Sequence, residues 1–185
     1  NTFTKHSSFN YPSHESYLKW LDFDNDNDLD VIASERIYFN NGGSFTRSDA
    51  STFGLNTFRG TWIDFDNDGD LDFITNNCDN NAVKLYRKTN NYFYEVYSTN
   101  FQPFIGDIAA IDYNCDGFKD IITTGVNSVT NKSENRLYKN DGNGKFTLQK
   151  TTSGRVYSGF GDYNADGLID ILAYSYPDDE KILYV

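Results

Sequence analysis

Asp64-Phe65-Asp66-Asn67-Asp68-Gly69-Asp70-Leu71-Asp72 sets five carboxylates into nine residues. Three other stretches share its plan: Asp22-Phe23-Asp24-Asn25-Asp26-Asn27-Asp28-Leu29-Asp30, Asp112-Tyr113-Asn114-Cys115-Asp116-Gly117-Phe118-Lys119-Asp120 and Asp162-Tyr163-Asn164-Ala165-Asp166-Gly167-Leu168-Ile169-Asp170. Together they hold sixteen of the 27 acidic residues. Carboxylates this crowded repel one another unless a cation sits among them. Side-chain oxygens at positions 1, 3 and 5 of a tight turn converge on one point. A backbone carbonyl at position 7 and a carboxylate at position 9 complete a shell of about six or seven oxygens. The candidate ligands are therefore Asp22, Asp24, Asp26, Asp28 and Asp30; Asp64, Asp66, Asp68, Asp70 and Asp72; Asp112, Asn114, Asp116, Phe118 and Asp120; and Asp162, Asn164, Asp166, Leu168 and Asp170. Position 6 is Asn27, Gly69, Gly117 or Gly167, residues that accept the backbone angle such a turn needs.

The donor set points to Ca²⁺. Many carboxylates on a flexible loop suit calcium better than magnesium, which keeps more water and stricter geometry. Zinc wants Cys and His, and the two histidines, His6 and His14, lie outside the loops. An EF-hand is excluded. Its loop needs a glutamate at position 12 between two helices, whereas position 12 here is Ala33, Thr75, Thr123 or Ala173. The residues leaving the loops, Val31-Ile32, Phe73-Ile74, Ile121-Ile122 and Ile171-Leu172, read as strand.

Position 1 recurs at 22, 64, 112 and 162, intervals of 42, 48 and 50 residues. Periods in the forties with short strands signal a propeller-like array. Around each loop an A strand precedes, a B strand follows, and a C strand comes later with Ile37-Tyr38, Leu85-Tyr86, Leu137-Tyr138 or Leu183-Tyr184. Polar turns such as Asn40-Asn-Gly-Gly43 then lead to D strands at Phe45-Thr46, Phe93-Tyr94 and Phe146-Thr147. Trp20, Trp62, Ala110 and Phe160 hold equivalent A-strand positions, and Trp20, Trp62 and Phe160 are expected in the core. The expected fold is all-β: one domain over residues 1–185, a propeller of four four-stranded antiparallel blades. Thr2-Phe3-Thr4 matches a D strand, and the chain stops after the fourth C strand. The ring is thus expected to close through its N-terminal strand. Four blades of a longer array, or half of an eight-bladed dimer, would read identically, so monomer and homodimer both stay open.

Composition bounds the partners. The chain has 185 residues, 17% aromatic, with 16 basic against 27 acidic side chains and a formal charge of −11. Phosphate backbones and anionic membranes call for the opposite sign, so no nucleic acid and no membrane insertion are expected. No apolar run reaches transmembrane length. The absence of Met and of an apolar leader leads to the expectation of a processed or excised piece. Cys78 and Cys115 fall at opposite ends of their strands, so two unpaired thiols are expected. Asn131-Lys-Ser133 is a glycosylation triplet, a short pattern that arises easily by chance.

These motifs resemble the FG-GAP/VCBS repeat of integrin-α-like β-propellers, in which Asp-x-Asp/Asn-x-Asp-Gly-x-x-Asp lies between the first two strands of a blade. Ser158-Gly-Phe-Gly-Asp-Tyr-Asn-Ala-Asp-Gly167 resembles it especially well. The resemblance implies calcium at positions 1, 3, 5 and 9 of each loop. It also implies adhesion, lectin or accessory roles in secreted and surface proteins. Two departures stand out: four repeats rather than about seven, and Asn27 in place of Gly.

The functional expectation is a calcium-stabilised extracellular module holding up to four Ca²⁺, with the first two loops tighter because they carry more carboxylates. It would recognise carbohydrate or a surface protein through the face opposite the calcium loops. Thr52–Gly60, Asn76–Ala82, Gly125–Asn135 (with Asn127, Asn131, Lys132 and Glu134) and Tyr174–Glu180, with Tyr176, are the candidate recognition segments. The alternative is an architectural or accessory domain of a larger secreted protein or polysaccharide-degrading enzyme. An enzyme is not expected. Beyond His6, His14 and the run Asp178-Asp179-Glu180, no acid–base pair stands outside the loops.

Overall fold

The acidic loops join strands that pair. The computed structural model describes residues 17–76, 82–96, 101–153, 155–161, 163–166, 170–176 and 180–184. The Thr2–Thr4 segment, His6, His14, Cys78, Asp178 and Asp179 lie outside the described residues. The first sheet runs β1 (Leu18–Leu21), β2 (Asp30–Ala33), β3 (Arg36–Asn41), β4 (Ser44–Asp49) in spatial order. The second runs β5 (Thr61–Ile63), β6 (Asp72–Thr75), β7 (Lys84–Thr89), β8 (Tyr92–Glu95). The third runs β9 (Phe104–Ile111), β10 (Asp120–Asn127), β11 (Ser133–Asn140), β12 (Phe146–Ser153). The fourth holds β13 (Arg155–Gly161), β14 (Asp170–Tyr176) and β15 (Glu180–Tyr184). The paired strands are antiparallel, and each acidic loop connects the first strand to the second. One 3₁₀ turn, Ala50–Phe53, is the helical element among the described residues.

The registers repeat. The residue after position 9 faces the C-strand tyrosine in each sheet: Val31 and Tyr38, Phe73 and Tyr86, Ile121 and Tyr138, Ile171 and Tyr184. Second strands lie between two neighbours, and β2 and β6 are buried along their whole length. That explains their unbroken apolar runs, where a half-exposed strand would alternate. The hairpins turn on residues able to take positive φ. Gly42 and Gly43 sit at 62° and 92°, Asn90 and Asn91 at 53° and 58°, as two-residue turns between twisted strands require.

The chain forms two compact units. Residues 1–59 with 89–93 make the first, and 60–88 with 94–185 the second. In the first, Phe23 is enclosed by the rings of Phe39, Phe53, Phe58 and Phe93 at 5.1–6.0 Å. In the second, Ile63, Phe65, Ile74, Leu85, Phe104, Ile121, Tyr138 and Phe146 form one buried cluster. Burying side chains of this size contributes roughly 1.5–3 kcal/mol each.

Three expectations need correction. Trp20 is 64% exposed, not core: among the described residues its ring meets that of Phe45 at 6.5 Å, whereas its counterpart Trp62 is half-buried and packs on Phe73 at 4.7 Å. Thr52–Gly60 is no open loop. Phe53, Leu55, Thr57 and Phe58 are buried, and the Ser34 carbonyl accepts both the Phe58 N–H (2.6 Å) and the Thr57 hydroxyl (3.0 Å). Gly125–Asn135 is mostly strand, since β10 reaches Asn127 and β11 starts at Ser133. Its buried Asn127 donates to Glu134, and Arg136 pairs with Glu134 as well. Tyr174 and Tyr176 likewise lie on β14. Residues 77–81 and 177–179 of the other two segments lie outside the described residues.

Candidate metal centre

Each loop is built by its own aspartates. The position 1 carboxylate accepts the N–H groups of positions 5 and 6. Asp22 takes Asp26 and Asn27, Asp64 takes Asp68 and Gly69, and Asp112 takes Asp116 and Gly117, all at 3.0–3.2 Å. The position 5 carboxylate accepts the N–H of position 7, as in Asp26 with Asp28, Asp68 with Asp70 and Asp116 with Phe118. Position 6 takes positive φ at Asn27 (72°), Gly69 (92°) and Gly117 (91°), as expected. Position 4 does so too, at Asn25, Asn67, Cys115 and Ala165 (57–61°), which the sequence reading missed. The two asparagines were the available signal, because Asn tolerates this region and Cys and Ala do not.

Position 9 holds the loop to the sheet. Asp30, Asp72 and Asp120 are wholly buried, and Asp170 nearly so. One oxygen accepts the N–H of position 2: Phe23, Phe65, Tyr113 or Tyr163, at 2.6–3.2 Å. In the first three loops the other accepts the N–H of Asn40, Lys88 or Asn140 on the third strand, each at 2.8 Å. The position 2 aromatics Phe23 and Phe65 anchor loops one and two in the core, while Tyr163 is 75% exposed. Burial pushes the Asp30 and Asp120 carboxyls above the usual range. Asp72 is pushed up to about 7 by burial, against the lowering pull of the Lys88 and Phe65 N–H groups.

Positions 1, 3 and 9 come together in two loops. In Asp22/Asp24/Asp30, and again in Asp64/Asp66/Asp72, one oxygen per residue lies within 4.8 Å of the others. Asp26 and Asp68 are turned instead to the N–H of position 7. Asp28 accepts the Gly42 N–H at 3.3 Å. In loops three and four, position 3 is an amide that donates to position 5, Asn114 to Asp116 and Asn164 to Asp166, both at 2.9 Å. Asp162 and Leu168 lie outside the described residues.

Buried acceptors without a donor sit inside both triads. Asp24 Oδ1 and Asp66 Oδ1 are shielded from solvent and accept no hydrogen bond. A buried carboxylate oxygen left so costs about 1–3 kcal/mol or more. Burial and neighbouring Asp68 push the Asp66 carboxyl up, with Arg87 opposing. A hard divalent cation would satisfy these oxygens, and the all-oxygen donor set fits one. Basic side chains also approach. Arg87 Nε lies 2.8 Å from Asp66 Oδ2, a charge contact rather than an aligned hydrogen bond. Lys88 Nζ is 3.6 Å from Asp70, and Lys139 Nζ 3.1 Å from Asp116. The Phe118 N–H, and then Lys139, hold the Asp116 carboxyl below the usual range.

Residues 64–123 match the family model of the FG-GAP-like repeat. The matched segment is thus similar to an FG-GAP-like repeat. It opens on the first aspartate of loop two and closes within β10, so it takes in two acidic loops with the strands between them. No curated protein gives a significant match to the chain. No described helix is long and apolar enough to cross a membrane.

Proposed function

We propose that the chain is a calcium-stabilised binding module whose repeated sheets are blades of a propeller, working outside the cell. The observation that carries this is the pair of carboxylate triads with a buried oxygen that no protein donor reaches. Calcium at these points would bind Asp22, Asp24 and Asp30, or Asp64, Asp66 and Asp72, and cancel their repulsion. It supplies charge and cross-linking, not chemistry. Sites built from loop carboxylates of extracellular modules bind Ca²⁺ at about 10⁻⁴–10⁻³ M, which fits an extracellular setting. The ligand of the module would be carbohydrate or a surface protein, met on the strand ends away from the acidic loops.

An architectural role is the second reading. It draws on the connections at those ends. The β2–β3 turn is just Ser34 and Glu35, and the β4–β5 segment is packed against it. A melting curve with calcium and with EGTA tests the calcium reading, which a common midpoint would refute. Glycan-array binding would support recognition. No binding on the array, with calcium-dependent stability intact, would favour the architectural role.

A further inference from the structure

One register slot is filled differently in each of the first three repeats. The residue after the C-strand tyrosine is Phe39, Arg87 or Lys139. In repeat one, the Phe39 ring meets the position 2 ring of Phe23 edge-on at 5.7 Å. In repeat two, the Arg87 guanidinium takes that place, 5.1 Å from the Phe65 ring centroid and against Asp66. In repeat three, Lys139 reaches Asp116. The next residue differs too. Asn40 and Asn140 donate to loop carbonyls at Leu29 and Lys119, whereas repeat two has Lys88, 2% exposed, with its ammonium near Asp70. Among the described residues no lysine or arginine ion-pairs with Asp22, Asp24, Asp26, Asp28 or Asp30.

We propose that Arg87 with Lys88, and Lys139, are built-in counter-cations that hold loops two and three without a bound ion, so that loop one alone among these three depends on calcium for its shape. The proposal rests on the calcium reading above and reverses part of the ranking by carboxylate count. Loops one and two carry the same five aspartates, yet loop two already has two positive charges. Arg87 occupies one oxygen of Asp66 and leaves Oδ1 open. Loop two can therefore still bind an ion, but it gains less from one. A buried lysine beside a loop is otherwise costly, and its acidic neighbours explain its presence.

Hydrogen exchange at the loop amides tests this on the intact chain, with calcium ions alone as the probe. The reporters are Asp26 and Asn27 in loop one, Asp68 and Gly69 in loop two, and Asp116 and Gly117 in loop three, each bonded to its position 1 aspartate. On moving from calcium at about ten times Kd to EGTA, loop one should exchange on the order of tenfold faster. Loops two and three should change far less. In Arg87→Gln, where the charge at Asp66 is lost and Lys88 stays beside Asp70, loop two should become several-fold more calcium-sensitive than in the unmodified chain. Equal acceleration of loops one and two in the unmodified chain overturns the proposal and leaves the calcium reading standing. So does an Arg87→Gln loop that stays insensitive. If no loop responds to calcium, both fall.

Discussion

Asp72 accepts the backbone N–H of Lys88 through Oδ1 at 2.8 Å while its Oδ2 accepts that of Phe65 at 3.2 Å. One carboxylate thus joins the start of an acidic loop to the third strand of its sheet. Asp72→Ala should remove both bonds and leave two buried N–H groups without acceptors. A loss of about 1–3 kcal/mol per orphaned group follows in EGTA, and the loss in calcium should be larger, because Asp72 is also one of the three carboxylates of its triad. Denaturant unfolding under both conditions measures it.

Asp24 should behave in the opposite way. Its Oδ1 is buried and takes no protein donor, so in the absence of an ion it contributes repulsion and little else. Asp24→Asn should leave stability in EGTA unchanged or slightly higher and abolish most of the stabilisation by calcium. Paired melting curves for Asp24→Asn and the unmodified chain give both readings.

Stability in EGTA should fall as pH rises, and the gain from calcium should grow. An acid whose folded pKa lies above its unfolded value of about 4 favours the fold when protonated. That contribution is complete below about pH 4 and is lost as pH rises through the folded value, about 7 for Asp72. Asp30, Asp66 and Asp120 shift in the same direction. In EGTA, Asp72 should lower the melting midpoint as pH rises from about 4 to about 7, with the other three acting in the same direction. Calcium competes with protons for the same oxygens, so the midpoint gain on adding calcium should grow over that range.

Loops two and three should be energetically coupled. The Asn140 side chain donates to the Phe65 carbonyl at 2.7 Å and to the Lys119 carbonyl at 3.0 Å, and Asn67 donates to the Gly117 carbonyl at 3.1 Å. Asn140→Ala should cost about 1–3 kcal/mol. A double-mutant cycle with Asn67→Ala should give a non-additive term of about 0.5 kcal/mol or more.

Ala165→Asn should stabilise the chain. Ala165 is exposed and sits at φ 59°, where an ordinary side chain costs on the order of 1 kcal/mol and Asn less. Urea unfolding of the single variant tests it.

Much of this was legible in the sequence because the repeat copies its chemistry along with its strands. The apolar pairs after each loop mark second strands, and the tyrosine pairs mark third strands, since both sit at fixed register with position 9. The carboxylate spacing marked the loops for the same reason. What spacing could not show was division of labour among the aspartates. Positions 5 and 9 both look like ligands in a linear pattern; both also accept backbone N–H groups, and of the two it is position 9 that joins the carboxylate triads. Side-chain direction decides that, and a one-dimensional motif does not carry it. Trp20 misled because the same register carries a half-buried Trp62 on Phe73 in one sheet and an exposed Trp20 in another. The Arg87 slot was invisible because Phe39, Arg87 and Lys139 share a position and no chemistry.

The central claim is that the carboxylate triads gather around a divalent ion. Calorimetric titration of chelator-treated protein with Ca²⁺, in buffer free of other divalent ions, tests it most directly. The account predicts saturable binding of at least two ions per chain, lost stepwise in Asp24→Asn and Asp66→Asn. Absence of any binding up to about 10 mM, well beyond the range of such modules, would contradict it.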